Sequence, residues 1–212
     1  IPGSFYEEQK EGIYNTAPVI NCEGELVTKC QKLYPFLPYE VGVEAGNEVC
    51  VFEVPGFGTL GLQICYDLWF PETSRALALQ GAEVILHPSL TDTCDRDVER
   101  AMVKATAAQQ QCYYIDVNAG GEQGCGLSLI AGPDGEILHD ASIGEEFMLI
   151  ALPNMDKSFT CTLFLPVNGS NCFDTLSESE LVINFFNEHF GEVLPLLDNF
   201  PKIFFKNPTG KL

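Results

Sequence analysis

Gly61-Leu-Gln-Ile-Cys65-Tyr-Asp-Leu-Trp-Phe-Pro-Glu72 decides how this chain of 212 residues is read. The apolar positions Leu60, Leu62 and Ile64 predict a buried strand that ends on Cys65. Pro71 suits the first turn of a helix, with Glu72 and Arg75 in the opening turns. A cysteine at such a strand-to-helix turn holds its sulfur at the mouth of a sheet. The backbone N–H groups and positive dipole end found there stabilise a thiolate and bind an oxyanion. A buried structural thiol is the plainer reading of any single cysteine. The residues around this one favour a nucleophile.

Outward from that turn, strands alternate with two helices. Strands are predicted within 1–20 about a turn near Gly12, and at 49–54, 60–65, 83–87, 112–118, 127–131, 136–139 and 147–152. Helices are predicted over 71–80, ending at Gly81, and over 95–111, with acidic residues at the entry of the second. Glu23-Gly24-Glu25 reads as a hairpin turn. This order predicts a layered α/β domain.

Thirty acidic against eleven basic residues give a net charge of −19. Such a field repels nucleic acid and anionic membrane, and both are set aside as partners. No run approaches the roughly 18 apolar residues that cross a bilayer, and the N-terminus lacks signal-peptide shape. A hydrophobic fraction of 46% with 15 Phe fits a globular core. The nine cysteines (22, 30, 50, 65, 94, 112, 125, 161 and 172) contain no CxxC pair, and His87, His139 and His189 are far apart, so no metal site is expected. The odd count, and cysteines within apolar strands, predict reduced thiols in a cytoplasmic protein.

Ile64-Cys65-Tyr66-Asp67 and Phe70-Pro71-Glu72…Arg75 together resemble the nucleophile motif of the nitrilase, or carbon–nitrogen hydrolase, superfamily. Gly81-Ala-Glu-Val-Ile-Leu-His-Pro88, Ala107-Ala108-Gln…Gln111-Cys112-Tyr113…Asn118 and Gly132-Pro133-Asp134-Gly135-Glu136 extend the likeness, which covers residues 1–150. The resemblance implies a partial nitrilase-like α-β-β-α sandwich, truncated at its N-terminus, and assembly as a homo-oligomer. It also implies hydrolysis of a non-peptide C–N bond (amide, nitrile or carbamoyl) in a small molecule, through a cysteine thioester and without a cofactor.

Residue by residue, it makes Cys65 the nucleophile and Lys32 the lysine that stabilises thiolate and oxyanion, with the Tyr66 backbone N–H as second donor. Glu40 matches a glutamate held beside that lysine in some members, with Glu44 as the competing candidate. Arg96 is a substrate-side candidate, and a solvated helix face is its alternative. His87, at a strand end before Pro88, is either substrate-side or a satisfied core histidine. The family's general-base glutamate lies upstream of the block that begins at residue 1. Without it, turnover by this chain alone is expected to fall by orders of magnitude.

Beyond Leu152 the likeness changes. Phe147 to Pro166, Asn184-Phe-Phe…Phe190 and Phe204-Phe-Lys-Asn-Pro-Thr209 resemble kynurenine 3-monooxygenase, a flavin-dependent hydroxylase. That resemblance implies a substrate-side sheet carrying Met148, Ile150, Leu152 and Phe164. Neither G-x-G-x-x-G nor a later G-D-A motif is present, so no FAD is expected. Residues 151–212 read as an extension: a hairpin about Asn154-Met-Asp156, then a helix over 178–190 with Ser177 and Glu180 as a capping box. Two other functions stay open beside the hydrolase. One is a non-catalytic binding or assembly relative; the other is a flavin-free fragment related to the hydroxylase.

Overall fold

Residue 12 onward, alternation of inward and outward side chains builds a strand whose two faces are both covered at Thr16–Val19. This is β2 (Gly12–Ile20), the centre of a sheet with β1 (Phe5–Gln9), β3 (Leu26–Gln31) and the short β4 (Val43–Glu44). β1 and β3 run antiparallel to it and β4 parallel. The computed structural model describes residues 1–141 apart from 38, 122 and 123. They belong to the first of two units into which the chain divides, Ile1–Cys161 and Thr162–Leu212.

A second sheet holds β5 (Cys50–Val54), β6 (Gly58–Leu62), β7 (Val84–Ser89), β8 (Tyr113–Asn118), β9 (Leu129–Ala131) and β10 (Ile137–Asp140), in the order β10-β9-β8-β7-β6-β5. The neighbours β6, β7 and β8 are parallel, so each connection must cross over the sheet. Helix α1 (Pro71–Leu79) makes the first crossing and α2 (Asp95–Gln110) the second. Leu77, Val103 and Ala107 are buried at period-matched positions and pack with Ile85, Tyr114, Leu129 and Ala131. Gly61 lets α1 come close: a Cβ there would lie 3.1 Å from that of Ala82 and 3.2 Å from that of Leu77. On the opposite face, Ala17, Val19 and Cys30 of the first sheet meet Leu62 and Ile64.

The described layers are therefore sheet, sheet and helices, an α/β arrangement with few helices. The predicted 147–152 strand, the hairpin and the 178–190 helix lie outside the described residues. So do the substrate-side candidates Met148, Ile150, Leu152 and Phe164.

Two expectations are corrected. The strand that leads to Cys65 ends at Leu62 rather than at Cys65 itself. The Gln63 N–H still donates to the Leu86 carbonyl of β7 (3.1 Å), but the next N–H, that of Ile64, is taken by Asp67 Oδ2 (2.9 Å), while the Gln63 side-chain amide donates to Tyr114 Oη (2.6 Å) and accepts from Ser74 Oγ (2.9 Å). The cysteines are not all reduced: Cys30 and Cys50 form a disulfide between β3 and β5, tying one sheet to the other. Cysteine usage therefore does not argue for a reducing compartment. Cys22, Cys65, Cys94, Cys112 and Cys125 are free. No helix among the described residues is long and apolar enough to cross a membrane.

Candidate active site

Cys65 follows β6 at the C-terminal edge of the parallel strands, where open α/β sheets bind ligands. Its backbone is left-handed, with φ +49°, a conformation costly for any residue with a Cβ. It opens a one-turn 3₁₀ helix, Cys65–Trp69, that precedes α1. The thiol is half-buried.

Asp67 holds this turn in place. Its Oδ2 accepts the N–H of Ile64 (2.9 Å), the residue before Cys65. Its Oδ1 accepts the N–H groups of Leu33 (3.1 Å) and Tyr34 (2.9 Å), the two residues after Lys32. One buried carboxyl thus fastens the lysine segment to the cysteine segment. Burial pushes it up to about 6, against the pull of these donors and of nearby Lys32 and His87.

Lys32 is 2% exposed and pairs with Glu40 at 2.6 Å. Glu40 also accepts from Asn15 Nδ2 (2.7 Å) and from the Phe36 N–H. Burial raises its pKa, but the Lys32, Phe36 and Asn15 donors outweigh burial and hold it below the usual carboxylate range. Glu44 is exposed and makes no such pair. Tyr34 stacks on Phe70 with ring centroids 3.7 Å apart, and Phe36, Tyr66 and Trp69 continue the aromatic wall.

His87 and Arg96 lie behind the turn, 1% and 2% exposed, so neither lines an open mouth. His87 Nδ1 is 2.8 Å from Asp116 Oδ1, and its Nε2 is 2.8 Å from the Cys65 carbonyl oxygen. Arg96 pairs with the other Asp116 oxygen and with Glu99 (3.2 Å), and donates to the Leu127 carbonyl (2.8 Å). That last bond takes Leu127, at φ +60°, out of its predicted strand, which starts at Leu129. Burial alone would lower the His87 pKa; Asp116 and the Cys65 carbonyl raise it overall.

Sequence reasoning singled out Cys65, Tyr66, Lys32, Glu40, His87 and Arg96, and all six belong to the turn or the segments packed on it. It passed over Asp67, Asp116, Glu99 and Asn15. Asp67 stands inside the quoted motif, and its three-residue spacing from Ile64 was the available signal. Asp116 alternates with the apolar residues of β8 and carried none. Among the described residues no group of three His, Cys, Asp or Glu could hold a metal ion.

The sequence model of the carbon–nitrogen hydrolases matches residues 1–157. This chain belongs to the carbon–nitrogen hydrolase family. Among curated relatives of this chain, N-carbamoylputrescine amidase of Solanum lycopersicum is 32% identical over 187 residues, covering 74% of this chain and 60% of that protein. A solved amidase from Nesterenkonia sp. AN1, with acrylamide added at its active-site cysteine, superposes with TM-score 0.65 and 27% identity, over 71% of this chain and 61% of that one. The chain thus spans about three fifths of the length of these relatives. It also carries a short stretch similar to another protein: 67 residues are 48% identical to kynurenine 3-monooxygenase of Flavobacterium johnsoniae, 32% of this chain and 15% of that one.

Proposed function

We propose that the hydrolase cleaves the C–N bond of a small amide, nitrile or carbamoyl compound through a Cys65 thioester. The Cys65 sulfur adds to the electrophilic carbon, and the negative charge collects on its oxygen or nitrogen. With an amide, collapse breaks the C–N bond, the amine leaves with a proton, and water then hydrolyses the thioester and restores the thiol. Lys32 supplies positive charge to the developing anion and the Tyr66 N–H a second donor. Glu40, anchored by the Asn15 amide and the Phe36 N–H, orients Lys32. The general base of this reading is a glutamate on the segment that the family places upstream of residue 1.

The observation that carries the reading is the Asp67 bridge between the N–H groups beside Lys32 and beside Cys65. The likeness to an amidase whose cysteine takes an acrylamide adduct supports the same role for Cys65. The test is covalent capture: the protein is treated with acrylamide and digested, and every cysteine is quantified. Cys65 should react fastest of the free thiols and lose that advantage in Lys32→Ala. Equal reaction at Cys65, Cys22 and Cys94 sinks the reading. A homo-oligomer is part of the same reading and is measured by sedimentation.

A further inference from the structure

Behind the nucleophile lies a closed set of charged side chains that the chemistry above does not use. His87, Asp116, Arg96 and Glu99 are each at most 5% exposed as side chains. Buried charge is tolerated only when paired and hydrogen-bonded, and here two cations face two anions.

The protonation of His87 follows from its neighbours. The Cys65 carbonyl is an acceptor only, so the Nε2 that stands 2.8 Å from it carries a hydrogen. Asp116, with Arg96 on one oxygen, is an ionised carboxylate and also accepts only, so Nδ1 carries a hydrogen too. Both ring nitrogens donate, and His87 is an imidazolium. The groups that face it are Asp116 and Tyr114 from β8, Arg96 and Glu99 from α2, and Asp67 and Cys65 from the nucleophile turn.

The bond to Cys65 has a geometric result. A peptide group is planar and trans, so its C=O and N–H point in opposite directions. The carbonyl of residue 65 and the N–H of residue 66 belong to one such group. Gripping the carbonyl on the helix side of the sheet turns the Tyr66 N–H to the other side. The same bond polarises the peptide and strengthens that N–H as a donor. It also opposes a flip of the 65–66 peptide, since turning that group over would break the bond to His87.

We infer that His87 is a positioning residue whose imidazolium, held by Asp116 and Arg96, fixes the 65–66 peptide so that the Tyr66 N–H serves the oxyanion. This rests on the Cys65 acyl-transfer reading given above.

The experiment compares two reactions of Cys65 in the intact chain. Acylation by p-nitrophenyl acetate develops an oxyanion; alkylation by iodoacetamide does not. Rates are assigned to individual thiols by peptide mass mapping, with Cys22 and Cys94 as internal references. In His87→Leu, acylation of Cys65 should fall by about tenfold to a hundredfold, the scale of a misdirected oxyanion donor, with alkylation changed less than about threefold. His87→Gln, whose amide can still donate to the carbonyl, should recover most of the acylation rate. Equal loss in both reactions, or no recovery by Gln, overturns the positioning role. Wild-type acylation no faster at Cys65 than at Cys22 and Cys94 overturns the hydrolase reading and the inference with it. Should His87→Leu not fold, ¹⁵N spectra of the wild-type imidazole decide. Two protonated ring nitrogens at neutral pH are expected, and one unprotonated nitrogen overturns the assignment.

Discussion

Lys32 Nζ stands 2.6 Å from Glu40 Oε2, with the side chains 3% and 6% exposed. A buried pair of this kind adds little over an apolar pair of equal shape, but leaving one partner alone is costly. Lys32→Ala should therefore destabilise the domain by about 3 kcal/mol, and Lys32→Met with Glu40→Gln together by much less than the two single changes summed. Denaturant unfolding of the double-mutant cycle measures this. A coupling near zero would show that the pair is not formed in solution.

Asp67 sets a pH dependence. Its carboxyl is raised from 3.8 to about 6 in the fold, so the folded state holds the proton more tightly than the unfolded chain. Its stabilising contribution is complete below 3.8 and is lost as pH rises through about 6. At about 1.4 kcal/mol per pKa unit, the loss is about 3 kcal/mol. Glu40 works in the opposite sense: its depressed pKa stabilises above 4.5 and is lost as pH falls below that value. Unfolding free energies between pH 4 and 7 should decline more in the wild type than in Asp67→Asn. Parallel curves would remove Asp67 as the titrating group.

Asp67→Asn should also be destabilising at every pH. Its amide nitrogen would replace one of the two accepting oxygens and face an N–H of Ile64, Leu33 or Tyr34. An unsatisfied buried donor costs about 1–3 kcal/mol. A thermal melt reports it, and unchanged stability would mean that the bridge is dispensable.

The Cys30–Cys50 bridge closes a loop with a sequence separation of 20. A loop of that size is stabilised by roughly 3 kcal/mol through the constrained unfolded chain. Non-reducing peptide mapping should recover the two cysteines as one linked species, and a reducing agent should lower the melting temperature. Free thiols at both positions in native material would refute the pairing.

The sequence made the Cys65 turn legible because its parts are consecutive: apolar strand, cysteine, proline-opened helix. Pro71–Leu79 and Asp95–Gln110 match the predicted helices closely, since period and caps are local signals. Lys32 and Glu40 were found through a matching block, not through any local pattern of their own. Cys30 and Cys50 could not be paired beforehand, because their closeness depends on two sheets stacking. The His87–Asp116–Arg96 set was hidden for the same reason: its members come from β7, β8 and α2, and each alone looks like an ordinary polar residue. Sheet ends were misjudged where a side chain takes a backbone group, as Asp67 does at Ile64 and Arg96 at Leu127.

At Cys65 the left-handed φ of +49° inverts the usual ranking of small residues. Ordinarily alanine is the more stabilising replacement and glycine the more disruptive. Here Cys65→Gly should fold more stably than Cys65→Ala by about 1 kcal/mol, because only glycine occupies that backbone region without strain. Thermal unfolding of the two variants reads the difference directly. The turn is shaped for a residue that has no side chain, yet the proposed chemistry needs one that has, and the surrounding hydrogen bonds carry that contradiction.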